Sequence, residues 1–277
     1  MSQVDSPLAN AFPKPGRTLR VVLLGVFAAW LAFAVGLNWA GASPEAFYLF
    51  CGNTERILHG EIWRLFTAPW MHLPSGTIGH VLSALLGLYF LSPSLESQWG
   101  SARFARFLFF SALIAYASQM LLELVLPDSL SQRLVGAHWF GAIPVVDAVA
   151  IAWAVSFRGR SVHLFGVLPI SSRTLILFVV GVCVMYVIIA ADSPSGLIAP
   201  FGGMLAGWLL GGGTPSPMRR AWLRFRLAQL DASARSDAKN RKRRVNQSGL
   251  RVIEGGTERD PDSGDDEKPG RGGRWLN

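Results

Sequence analysis

Ala199-Pro200-Phe201-Gly202-Gly203-Met204-Leu205-Ala206-Gly207-Trp208-Leu209-Leu210-Gly211 is the stretch whose reading decides the fold. It carries no charge, and Gly203, Gly207 and Gly211 recur every four residues, which places them on one helix face. Small residues in that register let a second helix approach backbone to backbone, the usual way helices pair inside a bilayer. The stretch lies in an apolar run over 196–212, and five similar runs precede it, near 20–40, 78–94, 104–126, 139–157 and 174–191. Crossing the hydrocarbon core takes about 20 apolar residues, so the count is six spans. The second and last runs are short, and Pro144 and Asp147 interrupt the fourth. Hydropathy alone therefore also admits five spans.

The rest of the composition agrees with a membrane location. Of 277 residues, 51% are hydrophobic and 16% charged, and mean hydropathy is +0.33. That is too little polar surface for an ordinary soluble domain of this length. Loop charges favour six spans over five. Lys14, Arg17, Arg20, Arg103, Arg106, Arg158, Arg160 and Arg173 then fall on one side, with Arg56, Arg64 and Arg133 on the other. Positive residues concentrate in cytoplasmic loops, so both termini are expected in the cytoplasm and the long 41–77 loop outside. The N-terminal region shows no cleavable signal, and its first span is expected to act as the insertion signal.

Three regions follow: a cytoplasmic segment 1–19, a membrane domain 20–212, and a tail 213–277. The tail holds fifteen Lys and Arg against nine Asp and Glu, so it contributes +6 of the net +8. A partly amphipathic piece is expected from Met218 to about Leu230, and beyond it a Ser-, Gly-, Asp- and Arg-rich segment without regular structure. Arg241-Lys242-Arg243-Arg244 is a candidate for anionic lipid headgroups, which explains the charge better than nucleic acid does. The outer loop is rich in apolar and aromatic residues such as Phe47, Phe50, Ile57 and Trp63, and is expected to form short interfacial helices. With only two cysteines, Cys51 in the outer loop and Cys183 inside the fifth span, no intramolecular disulfide framework is expected, and each reads as a small apolar filler.

Gly60-Glu61-Ile62-Trp63-Arg64-Leu65-Phe66-Thr67, then Met71-His72, His80, and Leu95-Glu96 with Gly100 resemble the first half of a rhomboid intramembrane serine protease. Arg160-Ser161-Val162-His163-Leu164-Phe165-Gly166-Val167-Leu168-Pro169 is similar to that family's linker between spans four and five. The 199–207 stretch is similar to its last helix. Together these cover about 20–212, and the resemblance implies an all-α, six-span bundle in which span six packs on span four.

It also implies where catalysis would sit. The family's fourth span carries Gly-x-Ser-Gly, and here the matching residues are Gly141-Ala142-Ile143-Pro144. Its sixth-span histidine matches Pro200, and a second-span asparagine that helps the oxyanion matches Ala84, while His80 remains. Acyl transfer by this route needs a hydroxyl bonded to a base, and neither Ile143 nor Pro200 supplies a polar side chain. The catalytic set is therefore empty. Shifting the match to Gly136-Ala137-His138-Trp139 recovers no serine; Ser83, Ser129, Ser131 and Ser195 lie elsewhere in the pattern.

Candidate binding residues are His72, His80, Asp147, Trp63 and Arg64. Asp147 is one turn past Ile143 and is costly at that depth unless paired or wetted. His72 and His80 lack the cysteine or carboxylate that would complete a metal set, so they are expected to make structural hydrogen bonds, and neither metal nor cofactor is expected. Trp63 and Arg64 are expected to anchor the outer loop at the interface. The reading is a rhomboid-like pseudoprotease, in a bacterial inner (plasma) membrane, that binds transmembrane segments of client proteins. An active serine endopeptidase with a relocated dyad, such as a loop serine with His138, and a small-solute transporter using Asp147 are the alternatives.

Overall fold

The computed structural model describes residues 13–74, 78–127, 136–164, 168–189, 193–212 and 217–247. Helix α1 (Arg17–Asn38) is followed by three short helices in the outer loop, α2 (Pro44–Tyr48), α3 (Thr54–Leu58) and α4 (Arg64–Thr67), and a 3-10 turn over Ala68–Trp70. Then come α5 (Gly79–Trp99), α6 (Ser101–Val125) and α7 (Ile143–Ser156). A two-stranded antiparallel hairpin, β1 (Ser161–Leu164) and β2 (Leu168–Ser171), leads into α8 (Ser172–Ile189) and α9 (Ala199–Leu210). The hairpin qualifies the all-α expectation: β1 and β2 pair Ser161 with Ser171 through Leu164 with Leu168, inside the linker region.

Among the described residues three helices, α1, α6 and α8, are long and apolar enough to cross a membrane, with α7 and α9 apolar but shorter. At 1.5 Å per residue, 14-residue α7 and 12-residue α9 run about 21 and 18 Å, short of a 30 Å core. Both start later than hydropathy alone suggests because a proline occupies the first turn of each, Pro144 in α7 and Pro200 in α9. Proline is at home there, where its missing N–H goes unused. Pro144 thus opens the fourth apolar run's helix instead of interrupting it. Upstream of Ile143 the chain leaves the helix, with Trp139 bridged to Gly52.

Helix α7 is the core. Val145 and every residue from Asp147 to Ala154 are buried, and α5, α6, α8 and α9 all pack on it. The glycine face of α9 lies directly on α7: a side chain at Gly203 would strike the Pro144 carbonyl, at Gly207 the Ala148 carbonyl, and at Gly211 the Ala152 backbone. The periodicity of four in α9 meets residues 144, 148 and 152 of α7, also four apart. On its other side Gly202 abuts Ser118 of α6.

Glu96, near the end of α5, ties three elements together. Its carboxylate accepts from Thr18 N (2.8 Å) and Leu19 N (3.1 Å) at the start of α1 and from the Ser101 hydroxyl (2.7 Å) of α6. A carboxylate there satisfies N–H groups that have no partner within the helix and faces the positive end of its dipole. Gly100, at φ +79°, makes the turn between α5 and α6 that brings Ser101 back to Glu96.

Helix α10 (Pro217–Gln247) continues past Leu230, where the amphipathic pattern ends, and is exposed at every described side chain. Arg241, Lys242, Arg243 and Arg244 lie on it, all exposed. The tail beyond Gln247 falls outside the described residues.

Candidate functional site

Immediately before α7 the backbone is held from three directions. Phe140 N donates to the Pro194 carbonyl (2.7 Å), Gly141 N to the Ala68 carbonyl (2.9 Å), and the Tyr116 hydroxyl to the Gly141 carbonyl. Tyr116 in turn stacks on Trp139, with centroids 4.8 Å apart. Gly141 sits at φ +111°, and a Cβ there would run into the His80 ring. Glycine is required twice over, for conformation and for space. The start of α7 is thereby presented to a cavity of about 520 Å³.

That cavity is lined by His80 and Ser83 of α5, Ile143 and Asp147 of α7, Cys183 and Tyr186 of α8, the 193–197 loop, and Pro200 of α9. Ile143 and Pro200, matched above to the nucleophile and base positions, therefore face one space. So do His80 and Asp147. Asp147 is 7% exposed, and its carboxylate takes a hydrogen bond from the Cys183 thiol (3.6 Å). Cys183 is thus a polar partner to Asp147, and not the apolar filler its setting suggests. An ionised group at such depth costs at least about 2.5–3.5 kcal/mol, which a single weak thiol donor does not offset.

His72 stands behind His80, the rings 4.9 Å apart. Its Nε2 accepts from Ala142 N (3.3 Å), while Nδ1 lies 3.3 Å from the Trp70 carbonyl. One partner donates and the other accepts, which assigns the Nδ1–H tautomer. Burial, helped by the neighbouring His80, lowers the His72 pKa to about 4, so it is a neutral strut between the outer loop and α7. Nε2 of His80 is buried without a hydrogen-bond partner among the described residues. The His72–His80 pair gains no third metal ligand; no cluster of three His, Cys, Asp or Glu side chains occurs among the described residues.

Trp63 and Arg64 lie elsewhere. Arg64 is 4% exposed and bonds the Tyr48 carbonyl (2.6 Å), the Cys51 carbonyl (2.8 Å) and Glu61 (2.6 Å). It braces the outer loop from within, in contrast to an interfacial anchor; exposed Trp63 alone is free for that role. Cys51, buried beside it, has its thiol pushed up to about 12 by burial, with Arg64 opposing. His138 lies against Tyr48 (4.7 Å), away from the cavity lining. Ser129 and Ser131 fall outside the described residues.

The sequence gives no sign of Tyr116 and Gln119 at the site, and it sets Ser195 outside the catalytic pattern and Cys183 among the apolar fillers. Ser195 is buried and lines the cavity, and Gln119 accepts from Ile198 N (2.9 Å) just ahead of α9. Their roles depend on loops meeting helices far away in sequence, which no local spacing encodes. Chemically, the cavity joins an apolar wall at Ile143 and Pro200 to scattered polar groups, with no hydroxyl bonded to a base among the described residues.

A protein of Arabidopsis thaliana described as "Inactive RHOMBOID-like protein 8" is 30% identical over 132 residues, which are 47% of this chain and 32% of the plant protein. The chain thus spans about a third of that relative's length. A family model for the rhomboid domain matches residues 59–215, more than half of the chain and inclusive of every cavity-lining residue named here. An integral membrane protein by its apolar helices, the chain belongs to the rhomboid family.

Proposed function

We propose that the chain is a pseudoprotease: a rhomboid bundle that receives transmembrane segments of client proteins at the Ile143–Pro200 cavity and does not cut them. The observation that carries this reading is that both dyad-matched positions line one 520 Å³ cavity with side chains that cannot transfer a proton. Helices α5 and α8 flank the cavity yet do not pack on each other as the core pairs do, so a lateral opening between them is the expected entry. The plant relative's description as inactive supports the same reading.

Six spans belong to this proposal. Helix α5, with 21 residues, reaches about 32 Å. The shorter α7 is buried among other helices and α9 packs along α7 and α6, and backbone outside a helix is tolerated at membrane depth when protein buries it. Cytoplasmic termini follow from the loop charges. The expected bacterial membrane gains no support from a plant relative. Substitution of single cysteines at Ser43 and Arg158, probed with an impermeant thiol reagent, should label opposite faces.

The activity test is direct. Purified protein incubated with rhomboid-type substrates and a fluorophosphonate probe should show neither cleavage nor labelling, and specific labelling would sink the reading. One observation favours a second arrangement: Ser195 Oγ and the His80 ring both approach Gly141, so a relocated dyad would use this pair. Loss of any labelling in Ser195→Ala would identify it.

A further inference from the structure

A second cavity, of about 430 Å³, lies on the opposite side of α7's first turn, between α1, α6 and the outer loop. Its wall is apolar, formed by residues such as Val22 and Val26 of α1, Leu108 and Ala112 of α6, and Trp70. Its only polar lining is at one end, Arg17 and Thr18 at the start of α1. Trp70 closes the far end by packing against bare Gly25.

The polar end has one unused function. Thr18 spends its N–H on Glu96 and its hydroxyl on the Ser101 carbonyl (3.0 Å). The three donors on Glu96 come from Thr18, Leu19 and Ser101. Arg17, exposed, forms no ion pair among the described residues. Nearby Arg103 lies instead over the Trp99 ring, 4.8 Å from its centroid. The groove is therefore a long apolar slot with one available guanidinium at its mouth, the complement of an anionic amphiphile.

Its length and charge choose among occupants. On α6 the lining runs from Ala105 to Leu113, about 12 Å at 1.5 Å per residue, and the wall is apolar except at the Arg17 and Thr18 end. One hydrocarbon chain carrying an anionic headgroup matches both the apolar length and the single guanidinium at its end. We propose that this groove binds one anionic phospholipid, its phosphate on Arg17 and one acyl chain between α1 and α6.

The test reconstitutes the full chain in nanodiscs of mixed phosphatidylglycerol and phosphatidylcholine with matched acyl chains, then counts lipids retained after release into detergent by native mass spectrometry. One phosphatidylglycerol per chain should persist, preferred by about tenfold. Arg17→Glu should abolish the preference, Arg17→Lys should keep most of it, and Arg103→Glu should leave it intact. Ala112→Phe, which fills the slot, should remove the retained lipid whatever its headgroup; if that variant does not fold, Val22→Phe fills the same slot from α1. Equal retention of the two lipids, displacement by inorganic phosphate alone, indifference to Arg17→Glu, or a dimer that dissociates on Ala112→Phe would each overturn the assignment.

Discussion

Isoleucine at 143 and proline at 200 change what the cavity can do more than any other residues in it. A hydroxyl and an imidazole there would meet across one space; what meets instead is apolar, with polar groups such as Asp147, His80 and Ser195 arranged around it. The sequence match makes Ile143 and Pro200 legible, but not their meeting, which depends on α9 lying flat on α7. His72 carries a testable consequence of burial. Its folded-state pKa of about 4 lies below the ordinary value of 6.5, so the unfolded chain binds the extra proton first. The contribution of neutral His72 is complete above about pH 6.5 and is lost as pH falls toward 4, with a slope of at most about 1.4 kcal/mol per pH unit. Thermal unfolding in detergent should therefore show an acid destabilisation across that window that flattens in His72→Gln, a side chain that still accepts from Ala142 N. An unchanged slope would mean that His72 does not titrate with folding.

At the scale of elements, the α7–α9 pair holds the cavity open to its present shape. Gly203, Gly207 and Gly211 were readable as a contact face because a spacing of four has one geometric meaning in a helix. The partner face was readable only through the family resemblance. Helix starts were less legible, since hydropathy counts Trp139 and Phe140 with the fourth run, while bonds to Gly52 and Pro194 draw them out of the helix. The hairpin at 161–171 and the extension of α10 to Gln247 went unread for a similar reason: four-residue strands and a polar helix leave little periodicity to detect. Gly207→Leu should drive a side chain into the Ala148 backbone and cost about 1–3 kcal/mol or more, lowering the midpoint of unfolding. Leu205→Ala, on the half-exposed side of α9, should change it far less. Equal effects would contradict the packing.

For the whole molecule, the account joins a rhomboid bundle to an emptied catalytic position. Its family is established by the match over 59–215; its work is the claim still to be tested. A photoreactive p-benzoylphenylalanine placed at Ile143, within the cavity, and another at Leu177, on the exposed face of α8, separate binding at the site from contact with membrane neighbours. After irradiation in native membranes, the account predicts that the Ile143 probe traps single-span proteins at full length and the Leu177 probe does not trap the same set. Trapped fragments ending within their transmembrane segments, or identical capture from both positions, would contradict it.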